Sequence, residues 1–394
     1  MSEIILDITR LLSRVLHPTP TGVDRVEMAY ARGLLAAAPD RLRFAAVHPS
    51  GLYGRLPTDA VRRFLDATER RWRDQGLGRQ SLRFFAAKAL LSLRPRLSGT
   101  SERSIYLQPS PNNLIKPALM RSFLQRENAR LVCLVHDLIP IQYPEYARPG
   151  GAELHARRMK TVVGLSAGIV ANSHATLQAL EPWLERAPRR PLTTVAHLGT
   201  ETGAPVSPYA TDRPYFVCVG TIEPRKNHLL LLHLWRAMAE ARGSDAIPRL
   251  ILIGRRGWEN EQVIDLLERC PALAGCVEEH SGLPDRLVQT MIASARALLL
   301  PSFAEGYGMP VSEALALGVP VVCSDLPALR EAGGHVPLFL DPLDGPAWQR
   351  AIDDLAETDS AESRAQHERL ADWRAPTWSE HIAIVLELLH KLAA

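Results

Sequence analysis

Short runs of β-branched and aliphatic residues alternate along this chain with longer stretches whose apolar positions recur at helical spacing. The runs at 4–8, 42–47, 105–107, 130–135, 168–171 and 194–197 predict strands. A helix over 23–37 places Val23, Val26, Ala29, Tyr30, Gly33 and Leu34 on one side. Residues 200–214 hold three prolines and little apolar periodicity, and read as an interdomain linker. A second series follows, with strands predicted at 215–219, 249–253, 297–300, 319–324 and 338–340 and helices over 227–241 and 259–269. Such alternation favours an α/β architecture of two doubly wound parallel sheets in tandem. The last stretch, 376–394, predicts an amphipathic helix that Thr377 or Ser379 can cap.

The length, 394 residues, suits two such domains better than one core. A net charge of only +3 gives no overall argument for nucleic acid as a partner. Three of the five cysteines (Cys133, Cys218 and Cys323) lie inside strand-like runs as small hydrophobes, and none has metal-ligand spacing. The first ten residues contain Glu3 and Asp7 and lack a cationic segment before an apolar core, so no signal peptide is expected. No apolar run approaches the roughly 20 residues of a membrane span. A reducing cytoplasm is the expected compartment.

Candidate chemistry concentrates at two places. At 298–334 a buried strand ends at Pro301, and a loop with Glu305, Gly306, Tyr307 and Gly308 leads into a helix with Pro310 near its first turn. Glycines admit a ligand close to the backbone, and the free N–H groups of a helix N-terminus suit a diphosphate. Glu305 and Glu313 are carboxylates suited to the hydroxyls of a ribose or hexose, although a helix-dipole acid and a plain turn would give the same letters. A dinucleotide fingerprint does not fit, because the third glycine of GxGxxG would fall on Val311. At 219–228 (VGTIEPRKNH) a strand ends in a loop carrying Arg225 and Lys226, at the sheet edge where ligands of open α/β sheets bind. The pair can neutralise a departing diphosphate, a task a metal performs elsewhere.

GTIEPRKN, LILIG at 250–254, HSGLPDRLV at 280–288 and EGYGMP with a second Glu together resemble glycosyltransferase family 4, densely over about 215–334. The resemblance implies a GT-B fold, two Rossmann-like doubly wound domains facing a central cleft. Residues 1–205 would bind the acceptor, 206–375 would bind the nucleotide sugar, and 376–394 would cross back to the first domain. Arg225 and Lys226 match the basic pair on the donor diphosphate, Glu305 the acid at the donor sugar, and Glu313 the acid at the ribose. Gly306, Tyr307, Gly308 and Met309 would give backbone contacts, and Leu283 would meet the base. Gly220 and Gly254, closing the two strand motifs, belong to the same donor-binding set. Retaining chemistry without a metal or other cofactor is implied, in keeping with a sequence that has no DxD. Either Glu305 acts as nucleophile or the sugar departs from the front face with diphosphate as base.

In the first half, His136 closes the 130–135 strand and matches a family histidine beside the donor sugar, while Asp137 is expected to fix the local turn. Thr21 and Gly22 resemble the family's glycine-containing turn next to the diphosphate, and Arg25 either faces phosphate or makes a surface ion pair. Residues 61–96 carry ten Arg or Lys against three acids. Leu82, Phe85, Ala86, Ala89 and Leu93 follow helical spacing there, which predicts a basic amphipathic helix that either packs on the core or lies on an anionic membrane. The HDLIP…YPEY stretch resembles family 4 mannosyltransferases. The expected activity is therefore hexose transfer, favouring mannose from GDP-mannose, to a glycan or polyprenyl-diphosphate-linked acceptor in surface polysaccharide synthesis, on the inner face of the cell membrane. A UDP-hexose donor, a sugar-nucleotide epimerase or hydrolase, and a non-catalytic subunit of the same fold are the alternatives.

Overall fold

The computed structural model describes residues 2–74, 79–96, 103–201 and 208–393. Contacts divide the chain into two compact units: Met1–Gln142, Pro149–Gly199 and Thr377–Ala394 in the first, Tyr143–Arg148 and Thr200–Pro376 in the second. Part of the expected linker, including the boundary at 205, lies outside the described residues.

The first unit contains β1 (Glu3–Asp7), β2 (Leu42–Val47), β3 (Tyr53–Leu56), β4 (Ser104–Gln108), β5 (Ala129–Val135), β6 (Ser166–Ala171) and β7 (Leu192–Val195). They form one sheet in the order β3-β2-β1-β4-β5-β6-β7. All neighbours are parallel except β2 and β3. The helices used below are α1 (Thr9–Ser13), α2 (Gly22–Ala37), α3 (Thr58–Asp74), α4 (Arg79–Ser92) and α5 (Gly151–Leu165).

The second unit contains β8 (Tyr215–Val219), β9 (Arg249–Ile253), β10 (Val277–His280), β11 (Leu298–Leu300), β12 (Val321–Ser324) and β13 (Leu338–Leu340), with α6 (His228–Arg242) and α7 (Met309–Ala316) among its helices. The order β10-β9-β8-β11-β12-β13 is wholly parallel. Near-continuous apolar runs such as LILI and LLL arise because both faces of such a sheet are covered. Trp235 and Trp348 are fully buried in the same core as Phe216, Leu250, Leu299 and Val322. The run expected at 319–324 pairs only from Val321, since Pro320 has no N–H for the ladder.

The edge strands β3 and β10 escape sequence reading. Val277–His280 (VEEH) has no alternation and is half-buried throughout.

The chain's last helix, α8 (Trp378–Ala393), packs within the first unit. His381 bridges the Tyr30 hydroxyl at 2.7 Å and the His197 carbonyl at 2.9 Å. Gly33 and Gly168 leave room for Ile382 and Leu392, since a Cβ at either would come within 2.5 and 2.8 Å of them.

The amphipathic helix at 79–92 exists, and its apolar face is not free. Leu82, Ala86, Ala89 and Leu93 are buried, Phe85 stacks on Phe64 at 6.2 Å, and the Arg71 guanidinium lies over the Phe85 ring at 4.9 Å. That face completes the core of the first unit, so it cannot itself lie on a bilayer. Phe84 and Leu91 point outward instead, 74% and 61% exposed.

Candidate active site

Both sheets reverse their winding at one place, between β1 and β4 and between β8 and β11. Loops leaving the carboxyl ends of such adjacent strands diverge to opposite sides and open a crevice. In the second unit the two loops carry Arg225 with Lys226 after β8, and Ser302 to Gly308 after β11. The Phe303 N–H donates to the Arg225 carbonyl at 2.9 Å and ties them together.

The side chains converge on two carboxylates. Lys226 Nζ lies 2.5 Å from Glu305 Oε1 and Arg225 Nη1 lies 2.9 Å from Glu305 Oε2. The Ser302 hydroxyl donates to Glu305 Oε1 at 2.6 Å. Arg225 also donates from Nη2 and Nε to Glu223 Oε1 at 2.7 and 3.1 Å, and from Nη1 to the Ala304 carbonyl at 2.5 Å. Glu223 and Ser302 were not expected from the sequence, although the EPRK tetrapeptide places Glu223 beside the arginine. Burial opposes ionisation of Glu305. The charges of Arg225 and Lys226, with the hydrogen bonds from Lys226 and Ser302, outweigh it and hold the carboxyl down to about 2. In this state Glu305 serves the cation pair.

Local backbone chemistry builds the loop. Pro224–Lys226 is a single 3-10 turn ended by Asn227, whose left-handed φ of 53° starts α6 and whose side chain donates to the Pro342 carbonyl at 2.9 Å. Gly220 has φ of 152°, and a Cβ there would meet Lys226 Cε at 3.2 Å. Gly254 is required for a different reason: its Cβ would fall 1.8 Å from the Gly220 carbonyl oxygen, so it is a strand-packing residue. Leu283 is half-buried in the loop after β10.

Gly308 is the N-cap of α7, with φ of 107°. A Cβ there would stand 2.4 Å from Leu329 Cδ2, so both the turn and the packing demand glycine. Gly306 and Met309 flank it half-buried, and Tyr307 is buried, with its hydroxyl pKa raised by burial and by Glu331. Glu313 is half-buried on α7.

The first unit holds the remaining expected residues. His136 follows β5, half-buried, and its Nε2–H donates to the Pro109 carbonyl at 2.8 Å. That bond fixes the neutral tautomer and leaves Nδ1 as an acceptor. Burial lowers the imidazole pKa, which keeps it uncharged. Asp137 accepts from the Ile139 N–H at 3.1 Å, closing the turn. Gly22 is the first residue of α2, behind a capping box made by Thr21 and Asp24. Asp24 also pairs with Arg10 and Arg14 at 2.6 and 2.9 Å, so the TGVD turn is stiffened by two arginines that the sequence did not reveal.

Residues 213–358 match the family model described as glycosyl transferases group 1. This stretch of the chain is similar to group 1 glycosyltransferases. Over 165 residues the protein is 37% identical to O-antigen chain mannosyltransferase B of Escherichia coli, and the match covers 42% of each chain. Over 223 residues it is 28% identical to the serotype-specific mannosyltransferase WbdA of E. coli, covering 50% of this chain and 26% of that one. The matched stretches therefore span less than half of these relatives. Sucrose-phosphate synthase from Thermosynechococcus elongatus superposes with a TM-score of 0.65 at 17% identity, covering 100% of this chain and 99% of that one. Anabaena HepE, solved with UDP, superposes at 0.58 and 14% identity over 100% of both chains. Identities this low speak for the fold, which is GT-B. Arg225, Lys226, Glu305 and Glu313 lie within the matched stretch, whereas His136 and Gly22 belong to the first unit.

Proposed function

We propose that this protein transfers a hexose from a nucleotide diphosphate sugar to a glycan or polyprenyl-diphosphate-linked acceptor in surface polysaccharide synthesis, with retention and without a metal. The observation that carries the reading is the cation pair at the β8/β11 crevice, held by Glu223 and Glu305 beside the loop that leads to α7. Arg225 and Lys226 would take the charge of the leaving diphosphate. The α7 N-terminus would add N–H donors. As the diphosphate engages the cations, Glu305 is released toward the donor sugar and Glu313 meets the ribose. Neutral His136 would accept a sugar hydroxyl at Nδ1.

Mannose from GDP-mannose is the favoured donor. The similarity to O-antigen mannosyltransferases supports it, while the UDP bound in HepE keeps a UDP-hexose as the second reading. Thermal-shift titration with GDP, UDP, dTDP and ADP in EDTA tests the site, since a ligand that favours the native state raises Tm by mass action. Selective stabilisation by GDP, followed by mannosyl turnover in EDTA, is the expected result; no shift with any of the four would overturn the reading.

Contact with an anionic bilayer is part of the proposal. Arg62, Arg63, Arg70 and Arg73 are exposed on α3, and Arg83 and Lys88 are exposed on α4 together with Phe84 and Leu91. Among the described residues no helix is long and apolar enough to cross a membrane. Reversing the charge of Arg62, Arg63 and Arg83 should release the protein from anionic vesicles, and unchanged co-sedimentation would sink this contact.

A further inference from the structure

The reversal point of the first unit has its own cluster of arginines. Beyond β1 the carboxylate of Asp7 is consumed locally, accepting from the Thr9 N–H at 2.8 Å and the Tyr106 hydroxyl at 2.5 Å. One and two turns on, Arg10 and Arg14 both direct Nε at Asp24, and Arg10 Nη2 donates to Thr21 Oγ1 at 3.0 Å. Arg14 Nη2 is buried without a hydrogen-bond partner.

Arg158 approaches from α5. One turn before it, His155 donates to the Asp137 carbonyl at 3.0 Å, which anchors that face of α5 at the carboxyl end of β5, next to His136. Arg158 is half-buried, its Nε is sealed from solvent without an acceptor, and it takes part in no ion pair among the described residues. Burial and then the charge of Arg10 depress its pKa, and Arg10 acts likewise on His136, so these groups lie within electrostatic reach of one another. The acids nearby do not answer Arg158. Asp24 is shared by two other arginines, Asp7 and Asp137 accept from their own turns, and Glu27 keeps its proton up to about 8 because of burial and Asp7. A buried guanidinium edge without an acceptor is costly unless a ligand supplies one.

We propose that Arg158, with Arg10 and Arg14, forms an anion subsite in the first unit for a phosphate or diphosphate ester carried by the acceptor. The three planar donor sets suit the several oxygens of such a group. The assignment to the acceptor rests on the transferase reading; the anion site itself does not.

The test uses a Lys226→Met/Glu305→Gln background, which weakens the second unit's site while removing a cation together with its buried counter-acid. Calorimetric titration with inorganic pyrophosphate at low salt should show binding that Arg158→Met weakens at least 10-fold and Arg158→Lys weakens less, with Tm in the absence of ligand unchanged. Equal affinity with and without Arg158→Met overturns the subsite, as does a background that binds no pyrophosphate. Displacement of the bound pyrophosphate by citronellyl diphosphate but not by GDP supports the acceptor as its source. Displacement by GDP overturns that assignment. Should wild-type protein ignore every nucleoside diphosphate while pyrophosphate binding still depends on Arg158, the transferase reading fails and the subsite stands.

Discussion

Lys226 Nζ and Glu305 Oε1 are 2.5 Å apart although 79 positions separate them in the chain. The contact exists because β8 and β11 are neighbours in the sheet, so loops far apart in sequence leave from adjacent strand ends. Neutralising the acid frees two cations from their partner. Glu305→Gln should lower Tm without ligand, since breaking a buried pair from one side costs about 3 kcal/mol. The same variant should gain more Tm from GDP than wild type does, while turnover falls at least 100-fold. Weaker GDP stabilisation in the variant would show that Glu305 does not compete with the diphosphate.

Glu223 is the less obvious half of the arrangement. It receives two hydrogen bonds from Arg225, through Nε and Nη2, so it sets the guanidinium plane. Glu223→Gln keeps an acceptor oxygen and should raise the donor KM several-fold with little loss of Tm. Glu223→Leu leaves Arg225 with one acid fewer and should abolish GDP binding. Equal donor KM in Glu223→Leu and wild type would remove this role.

The neutral tautomer of His136 has a kinetic signature. With its pKa lowered by burial, the imidazole is uncharged throughout neutral pH, so the kcat profile should be flat from about pH 6.5 to 8 as far as this group is concerned. An imidazole titrating near 7 in a kcat profile, absent in His136→Asn, would contradict the assignment.

A stability effect follows from Glu27. Its Oε1 accepts the Leu11 N–H at 2.8 Å and its Oε2 is buried without a partner. Burial, then the charge of Asp7, holds the proton up to about 8 in the folded state, whereas an unfolded glutamate releases it near about 4.3. Over that window the unfolded chain binds fewer protons, so folding stability is greatest in mild acid and declines as pH rises toward 8. Asp7, raised by burial as well, adds a slope of the same sign. Glu27→Gln should flatten Tm between pH 5 and 8 compared with wild type; an unchanged slope would show that Glu27 ionises freely.

Much of the candidate site was legible because parallel strands buried on both faces are written as unbroken apolar runs. The loops after FVCVG and LLLP therefore announce themselves, and Arg225, Lys226 and Glu305 sit in them. Their partners do not. Glu223 and Ser302 are ordinary polar letters until the fold brings them to within hydrogen-bond distance. Arg158 reads as one more charge on a helix, because the absence of a counter-ion is a property of space, not of order. The helix over 79–92 shows the reverse: its period was plain, but spacing alone could not say that Phe64 and Arg71 already cover Phe85, leaving Phe84 outside. Edge strands β3 and β10 are four residues each without apolar alternation, so they gave no period to read.

The hexapeptide Tyr143–Arg148 belongs with the second unit although residues on both sides of it belong to the first. Tyr146 stacks on Phe303 at 5.6 Å, its carbonyl accepts from Trp258 at 3.0 Å, and Arg148 covers the Trp258 ring at 4.7 Å. With α8 returning as well, the backbone passes between the units at four points. Neither half is thus a continuous stretch of gene. A single-point recombination between relatives would hand over the second unit without the ring that rests on Phe303, and would strip the first of the helix seated against Gly33 and Gly168. Exchange of an intact unit between two such chains therefore takes several crossovers.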